Sequence, residues 1–138
     1  EVRFHLPLTP FTRDVPVVRP YMEAAVRETA PDRPVFVAER AGAVLGYAAC
    51  LVVDTPDDGL VRPTPPGRSG DFLSVGVRAD ARGTGVGTAI VGAAAHHLAG
   101  LGAQRVSAAF VPTNPLARAF WTRRGFRPLW RYWAAILD

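Results

Sequence analysis

The segment with the clearest chemical content is Val77-Arg78-Ala79-Asp80-Ala81-Arg82-Gly83-Thr84-Gly85-Val86-Gly87. An apolar run ends, a glycine-rich turn follows, and a helical pattern begins. Such a turn aims unpaired backbone N–H groups into one small space. The dipole of the following helix adds positive potential there. Together they make a cradle for a phosphate or pyrophosphate, with Arg82, Gly83, Thr84, Gly85, Val86 and Gly87 as its candidate binding residues. A P-loop requires Gly-Lys followed by Ser or Thr, and the chain has no lysine. The dinucleotide fingerprint requires a third glycine, and Thr88 or Ile90 stands where it would fall. What remains is Arg82-x-x-Gly85-x-Gly87.

Other reactive side chains are sparse. Cys50 is the one cysteine, which excludes an intrachain disulfide and a cysteine zinc cluster and fits a reducing, cytoplasmic compartment. It lies in an apolar stretch, as a buried inert thiol would. His96 and His97 are neighbours on a helical pattern, point about 100° apart, and cannot share a metal; no metal site is expected. The formal charge is +4 and every basic residue is arginine, scattered from Arg3 to Arg131 without a basic helix or an aromatic-interleaved stripe. Nucleic-acid binding is therefore not expected.

These residues need a scaffold. With 138 residues, 49% hydrophobic and 20% charged, residues 1–138 read as one globular domain able to bury a core without staples. No apolar run reaches membrane-span length, and Glu1, Arg3 and His5 precede any apolar stretch, so neither a span nor a secretory leader is expected. Val2, Phe4 and Leu6 alternate as a first strand, and Asp14 and Pro16 open a helix over residues 15–29. Residues 35–39 and 43–53 form a hairpin, and the proline-rich stretch 54–70 a long loop. Residues 71–78 form a strand and 85–100 a helix with Val86, Ile90, Ala94 and Leu98 on one face. Residues 105–111 form a strand. Residues 115–124 form a short helix capped by Asn114 and stopped at Gly125, and 126–137 one long or two short strands. The order fits an α/β sandwich, mixed α+β, with a mostly antiparallel sheet flanked by helices.

Val77-x-x-x-x-Arg82-Gly83-x-Gly85-x-Gly87 resembles the coenzyme A pyrophosphate loop of the GNAT superfamily of N-acetyltransferases. Asn114-x-x-Ala117-x-x-Phe120-Trp121-x-x-x-Gly125-Phe126 resembles the second signature of that family, at the expected distance, so the resemblance spans roughly residues 35–127. It implies that the strand ending at Val77 splays from the strand over residues 105–111 and that acyl-CoA enters the gap. The pantetheine arm then pairs with backbone near Val75 and Val77, and Gly76 fits a bulge there. Asn114 would contact the arm, besides serving as a helix cap.

The implied reaction passes an acetyl group from acetyl-CoA, as co-substrate, to an amine of a small molecule or peptide. Asp71 is the candidate general base. It shares a face with Leu73, Val75 and Val77 unless the bulge intervenes; a solvated aspartate at a loop-to-strand junction is the alternative. Ser74 is a weaker candidate, holding a water. The backbone N–H of Val77 is the implied oxyanion donor. Many members of the family carry a tyrosine where this chain has Trp121, whose indole N–H is no usable acid. Trp121 then counts among the coenzyme-channel residues, and a thiolate can leave unaided. Tyr132, the one late tyrosine, has no spacing that supports an acid role and is expected to pack among Trp130 and Trp133. The acceptor pocket falls to residues 15–29 and 54–70, where Glu23, Asp54, Asp57 and Asp58 either meet a cationic amine or are plain solvated carboxylates. A non-catalytic acyl-CoA-binding module, half of a tandem-domain protein, is the other reading. A homodimer or a covalently linked partner domain stays open.

Overall fold

The computed structural model describes residues 23–24, 26–62, 64–110 and 114–130. The first expected strand, most of the helix over residues 15–29, and the chain beyond Trp130 lie outside them. Of that helix, Glu23, Ala24, Val26 and Arg27 are helical.

Strand β1 (Val35–Arg40) turns at Ala41 and Gly42, both at positive φ, into β2 (Ala43–Thr55). Two successive positive values give the twist of a primed hairpin turn. Strand β3 (Gly67–Val77) follows, then a 3-10 turn (Ala79–Ala81), helix α1 (Val86–Gly100), strand β4 (Arg105–Ala108) and helix α2 (Pro115–Thr122). The sheet order is β1-β2-β3-β4; β1/β2 and β2/β3 are antiparallel and β3/β4 is parallel. This is the mixed, mostly antiparallel sheet expected from the element order, with α1 as the crossover between its parallel strands. Among the described residues no helix is long and apolar enough to cross a membrane.

The hairpin between β2 and β3 is longer than the composition suggests. The ladder continues through Val52↔Gly70, Val53↔Ser69, Asp54↔Arg68 and Thr55↔Gly67, so residues 67–70 belong to β3 and not to the loop. Arg68 Nε and Nη2 reach Asp54 Oδ1 and Oδ2 at 2.8 and 2.7 Å, a bidentate cross-strand pair that prolongs the ladder into a glycine- and proline-rich stretch. Arg78 lies past the end of β3, and β4 stops at Ala108. Residues 126–130 are in no strand.

A bulge decides which residues share a face. The β2/β3 register shifts between Ala49, opposite Ser74, and Cys50, opposite Phe72, leaving Leu73 as the extra residue. Cross-strand partners share a face. Phe72, Val75 and Val77 therefore face α1, whereas Asp71, Ser74 and Gly76 face the other way. The expected common face of Asp71, Val75 and Val77 does not form, because the bulge at Leu73 reverses the alternation. Gly76 is not the bulge: it pairs in register with Tyr47, whose ring occupies the space of the missing side chain, since a Cβ there would stand 2.5 Å from Tyr47 Cε1.

The core lies between the sheet and the helices. Val86, Ile90, Ala94 and Leu98 of α1 are buried, the stripe that the sequence pattern marks. They pack with Ala48, Cys50, Phe72 and Trp121. Burying a side chain such as Ile90 or Leu98 stabilises the fold by about 1.5–3 kcal/mol, and Gly70 lets α1 approach closely, since a Cβ there would meet Leu98 Cδ1 at 2.7 Å.

Candidate active site

Among the described residues, β3 and β4 pair from Ser69↔Arg105 to Phe72↔Ala108, and β3 then continues to Val77 paired with β2 alone. A cavity opens where they part. Phe72, Ser74 and Val75 line one side, Ala109 and Phe110 the other, and Asn114, Ala117 and Trp121 close it from α2 and its cap. The edge of β3 that no other described strand pairs with is polar along this gap. Arg78 N–H donates to Leu45 O at 2.8 Å, toward β2. By alternation the backbone groups of Val77 and Val75 point away from β2, toward the opening. Val75 lines the cavity; Val77 lies beyond its lining, at the end of the strand.

The glycine-rich turn stands at that end. Gly83 and Gly85 have φ of 76° and 88°, values that side chains rarely adopt, and a Cβ on either would meet nothing within 4 Å. Conformation, not space, selects glycine at both. Thr84 Oγ1 donates to Ala81 O at 2.7 Å and Arg82 Nε to Val77 O at 3.3 Å, tying the turn to the strand it leaves. Gly85 caps α1 without a side-chain hydrogen bond, and the first bond of the helix is Ala89 N–H to Gly85 O at 2.9 Å. The N–H groups of Val86, Gly87 and Thr88 precede that bond and so project from the helix end, the arrangement that holds an anion. Gly87 differs from the other two glycines. A Cβ there would stand 2.9 Å from Phe120 Cε2, so its absence lets α2 dock on α1.

Helix α2 carries the far wall. Asn114 Oδ1 accepts from Ala117 N–H at 3.1 Å, so the cap and the cavity lining are the same residue. The helix ends at Thr122, two residues before the expected end, and Gly125, at φ 82°, turns the chain back so that Phe126 N–H donates to Trp121 O at 3.2 Å. Trp121 is 7% exposed, with ring centroids 5.5 Å from Phe72, 5.0 Å from Phe120 and 4.7 Å from Phe126. The Arg124 guanidinium lies 3.5 Å from the Phe120 ring centroid, donates to Phe120 O at 2.7 Å, and reaches Thr88 Oγ1 in the first turn of α1.

Asp71 is half-buried on the face away from α1. Its Oδ1 accepts from Ser107 Oγ at 2.7 Å, one residue before Phe72 enters the cavity. Three further side chains at the site have no signal in the sequence reading: Ser107 itself, Phe110, and Tyr47, whose Oη lies 2.8 Å from Ser74 Oγ. An aromatic residue set opposite Gly76 in the hairpin register is the one signal that could have found Tyr47.

Two of the acidic residues considered for the acceptor are already matched. Asp54 is held by Arg68, and Asp58 by Arg62 and the Leu60 N–H. These contacts hold both carboxyls below the usual carboxylate range, the hydrogen bonds from Arg68 and Arg62 being the largest cause. His96 and His97 are exposed on α1, His97 resting edge-on against Phe36. Burial pushes the Cys50 thiol up to about 12, which makes it inert.

A sequence model of the Acetyltransferase (GNAT) family matches residues 4–126. Curated proteins return no match. Among solved structures, the chain resembles aminoglycoside N-acetyltransferase AAC(6')-Iy in complex with CoA, at 16% identity, 91% of this chain, 90% of that one and a TM-score of 0.68. It also resembles glucosamine-6-phosphate N-acetyltransferase from Arabidopsis thaliana, at 18% identity, 95% and 83% coverage and a TM-score of 0.63. A Bacillus halodurans protein matches at 20% identity, 86% and 73% coverage and a TM-score of 0.72.

Proposed function

The chain belongs to the GNAT family of acetyltransferases, and from that premise we propose that it transfers the acetyl group of acetyl-CoA to an amine of a small molecule or peptide by direct attack on the thioester. The observation that carries the reading is the parting of β3 from β4 after Phe72↔Ala108, with the glycine turn at the end of the opened edge. That AAC(6')-Iy, a protein of similar fold, binds CoA supports coenzyme A as the ligand here.

In this reading the N–H groups of Gly83 to Thr88 and the Arg82 side chain take the pyrophosphate. The pantetheine arm lies along the open edge of β3, on the backbone of Val75 and Val77. The thioester reaches the cavity, walled by Trp121 and Asn114. The amine arrives from the face that carries Asp71, which takes the proton its nitrogen sheds. Placing the two reactants in one gap supplies much of the remaining acceleration. An oxyanion donor on β3 belongs nearer the cavity than Val77, and the N–H of Val75 suits it better, because Val75 lines the cavity.

The test is release of free thiol from acetyl-CoA in the presence of a panel of amines, alongside the melting temperature with and without coenzyme A. Thiol release with at least one amine and a raised melting temperature are the expected results. Stabilisation without thiol release would assign the chain to the non-catalytic acyl-CoA-binding class.

A further inference from the structure

Tyr47 Oη and Ser74 Oγ are 2.8 Å apart on the side of the sheet away from α1. Gly76 makes the contact feasible, because any side chain there would collide with the Tyr47 ring. Ser74 is 7% exposed and, among the described residues, is the one hydroxyl residue in the lining of the cavity where β3 leaves β4. The other described polar residues of that lining cannot act as acids: Asn114 spends its Oδ1 on the helix cap, and the Trp121 indole N–H does not ionise usefully.

We propose that Tyr47, acting through Ser74, protonates the coenzyme A thiolate as it leaves, which rests on the acetyltransferase reading above. The amine nitrogen forms its bond to the thioester carbonyl carbon and passes a proton to Asp71. The C–S bond breaks and sulfur departs with the electron pair. Ser74 Oγ gives its hydrogen to that sulfur while taking the hydrogen of Tyr47 Oη, so no serine alkoxide forms. A phenol ordinarily ionises near pH 10 and an alkyl thiol near pH 8.5, so donor and acceptor are close to matched. Asp71 then releases its proton to water and Tyr47 takes one back, leaving a net transfer of one proton from nitrogen to sulfur.

The experiment measures thiol release from acetyl-CoA, with an amine that turns over, for the wild type, Tyr47→Phe and Ser74→Ala in mixtures of H2O and D2O. Tyr47→Phe keeps the ring over Gly76 and removes only the phenol. Each variant is expected to lose about tenfold or more in kcat while keeping the coenzyme-induced rise in melting temperature. The bowed dependence of rate on deuterium fraction, the mark of two protons in flight, is expected to become less bowed in both. Variants with the wild-type kcat and the wild-type deuterium dependence overturn the relay alone. A kcat loss accompanied by loss of the coenzyme shift also overturns it, since that assigns the pair to packing. No transfer by the wild type to any amine overturns the acetyltransferase reading and the relay with it.

Discussion

Ser107 donates its hydroxyl hydrogen to Asp71 Oδ1 at 2.7 Å, across the last stretch where β3 and β4 are paired. The bond fixes the carboxylate at the base of the gap, beside Phe72, and leaves Oδ2 outside that bond. Asp71→Asn keeps the shape and removes basicity. It is expected to lower kcat by about 100-fold or more while the melting-temperature rise with coenzyme A stays as in the wild type. Ser107→Ala removes only the positioning bond, and a loss near tenfold, about 1.4 kcal/mol of barrier, is expected. Wild-type turnover in Asp71→Asn assigns that residue to a purely structural bond with Ser107.

Gly85 and Gly87 sit two residues apart and fail for different reasons when replaced. Gly85 has φ of 88° and open space around it. Gly85→Val therefore strains the turn by about 1–2 kcal/mol or more and turns the cradle N–H groups away. A ligand at a hundred times its dissociation constant raises stability by about 2.7 kcal/mol, and Gly85→Val is expected to lose that rise. Gly87→Ala instead pushes on Phe120, so the melting temperature of the free protein falls. Adding Phe120→Leu is expected to restore part of it. Thermal melts with and without coenzyme A separate the two cases.

The glycine turn is legible in the sequence because it is local: strand end, turn and helix start are consecutive residues. The Asn114 cap and the Gly125 stop are legible for the same reason. The partners of the reacting groups are not local. Tyr47 and Ser74 are 27 residues apart, and Asp71 and Ser107 are 36. Only the register of two ladders brings them together, and no residue type announces the bulge at Leu73 that sets Asp71 and Ser74 on one face. The start of β3 is hidden because glycine and proline lower strand propensity, while the stabilising contact, Asp54 with Arg68, spans the loop.

Cys50 offers a test of the core. Its thiol is 2% exposed, and burial raises its pKa from 9.0 to about 12. The folded state thus favours the neutral thiol more than the unfolded chain does. The stability this confers is fully present below pH 9 and is lost as the pH rises toward 12, because only the unfolded chain gives up the proton in that window. Urea midpoints are expected to fall more steeply between pH 9 and 11 for the wild type than for Cys50→Ala. Native protein is expected to resist iodoacetamide at pH 8, and urea-unfolded protein to react at the rate of a free thiol.

Trp121 separates two accounts of how the thiolate leaves. Its ring is buried between Phe72, Phe120 and Phe126 and forms a wall of the cavity. If the residue acts as a wall, a flat apolar ring is enough. Trp121→Phe is then expected to keep coenzyme affinity and most of the turnover. Trp121→Ala opens a void among three aromatic rings, costs about 3–5 kcal/mol of stability, and loses both. Trp121→Tyr places a phenol in the same wall. With Tyr47 and Ser74 already delivering a proton from the opposite side of β3, the added phenol is redundant, and a gain in kcat below tenfold, about 1.4 kcal/mol of barrier, is expected. In the Tyr47→Phe background the same change has a proton to supply, and kcat is expected to recover by more than it rises in the wild type. Equal effects of Trp121→Tyr in the two backgrounds, read from initial rates of thiol release, would mean that protonation of sulfur never limits turnover.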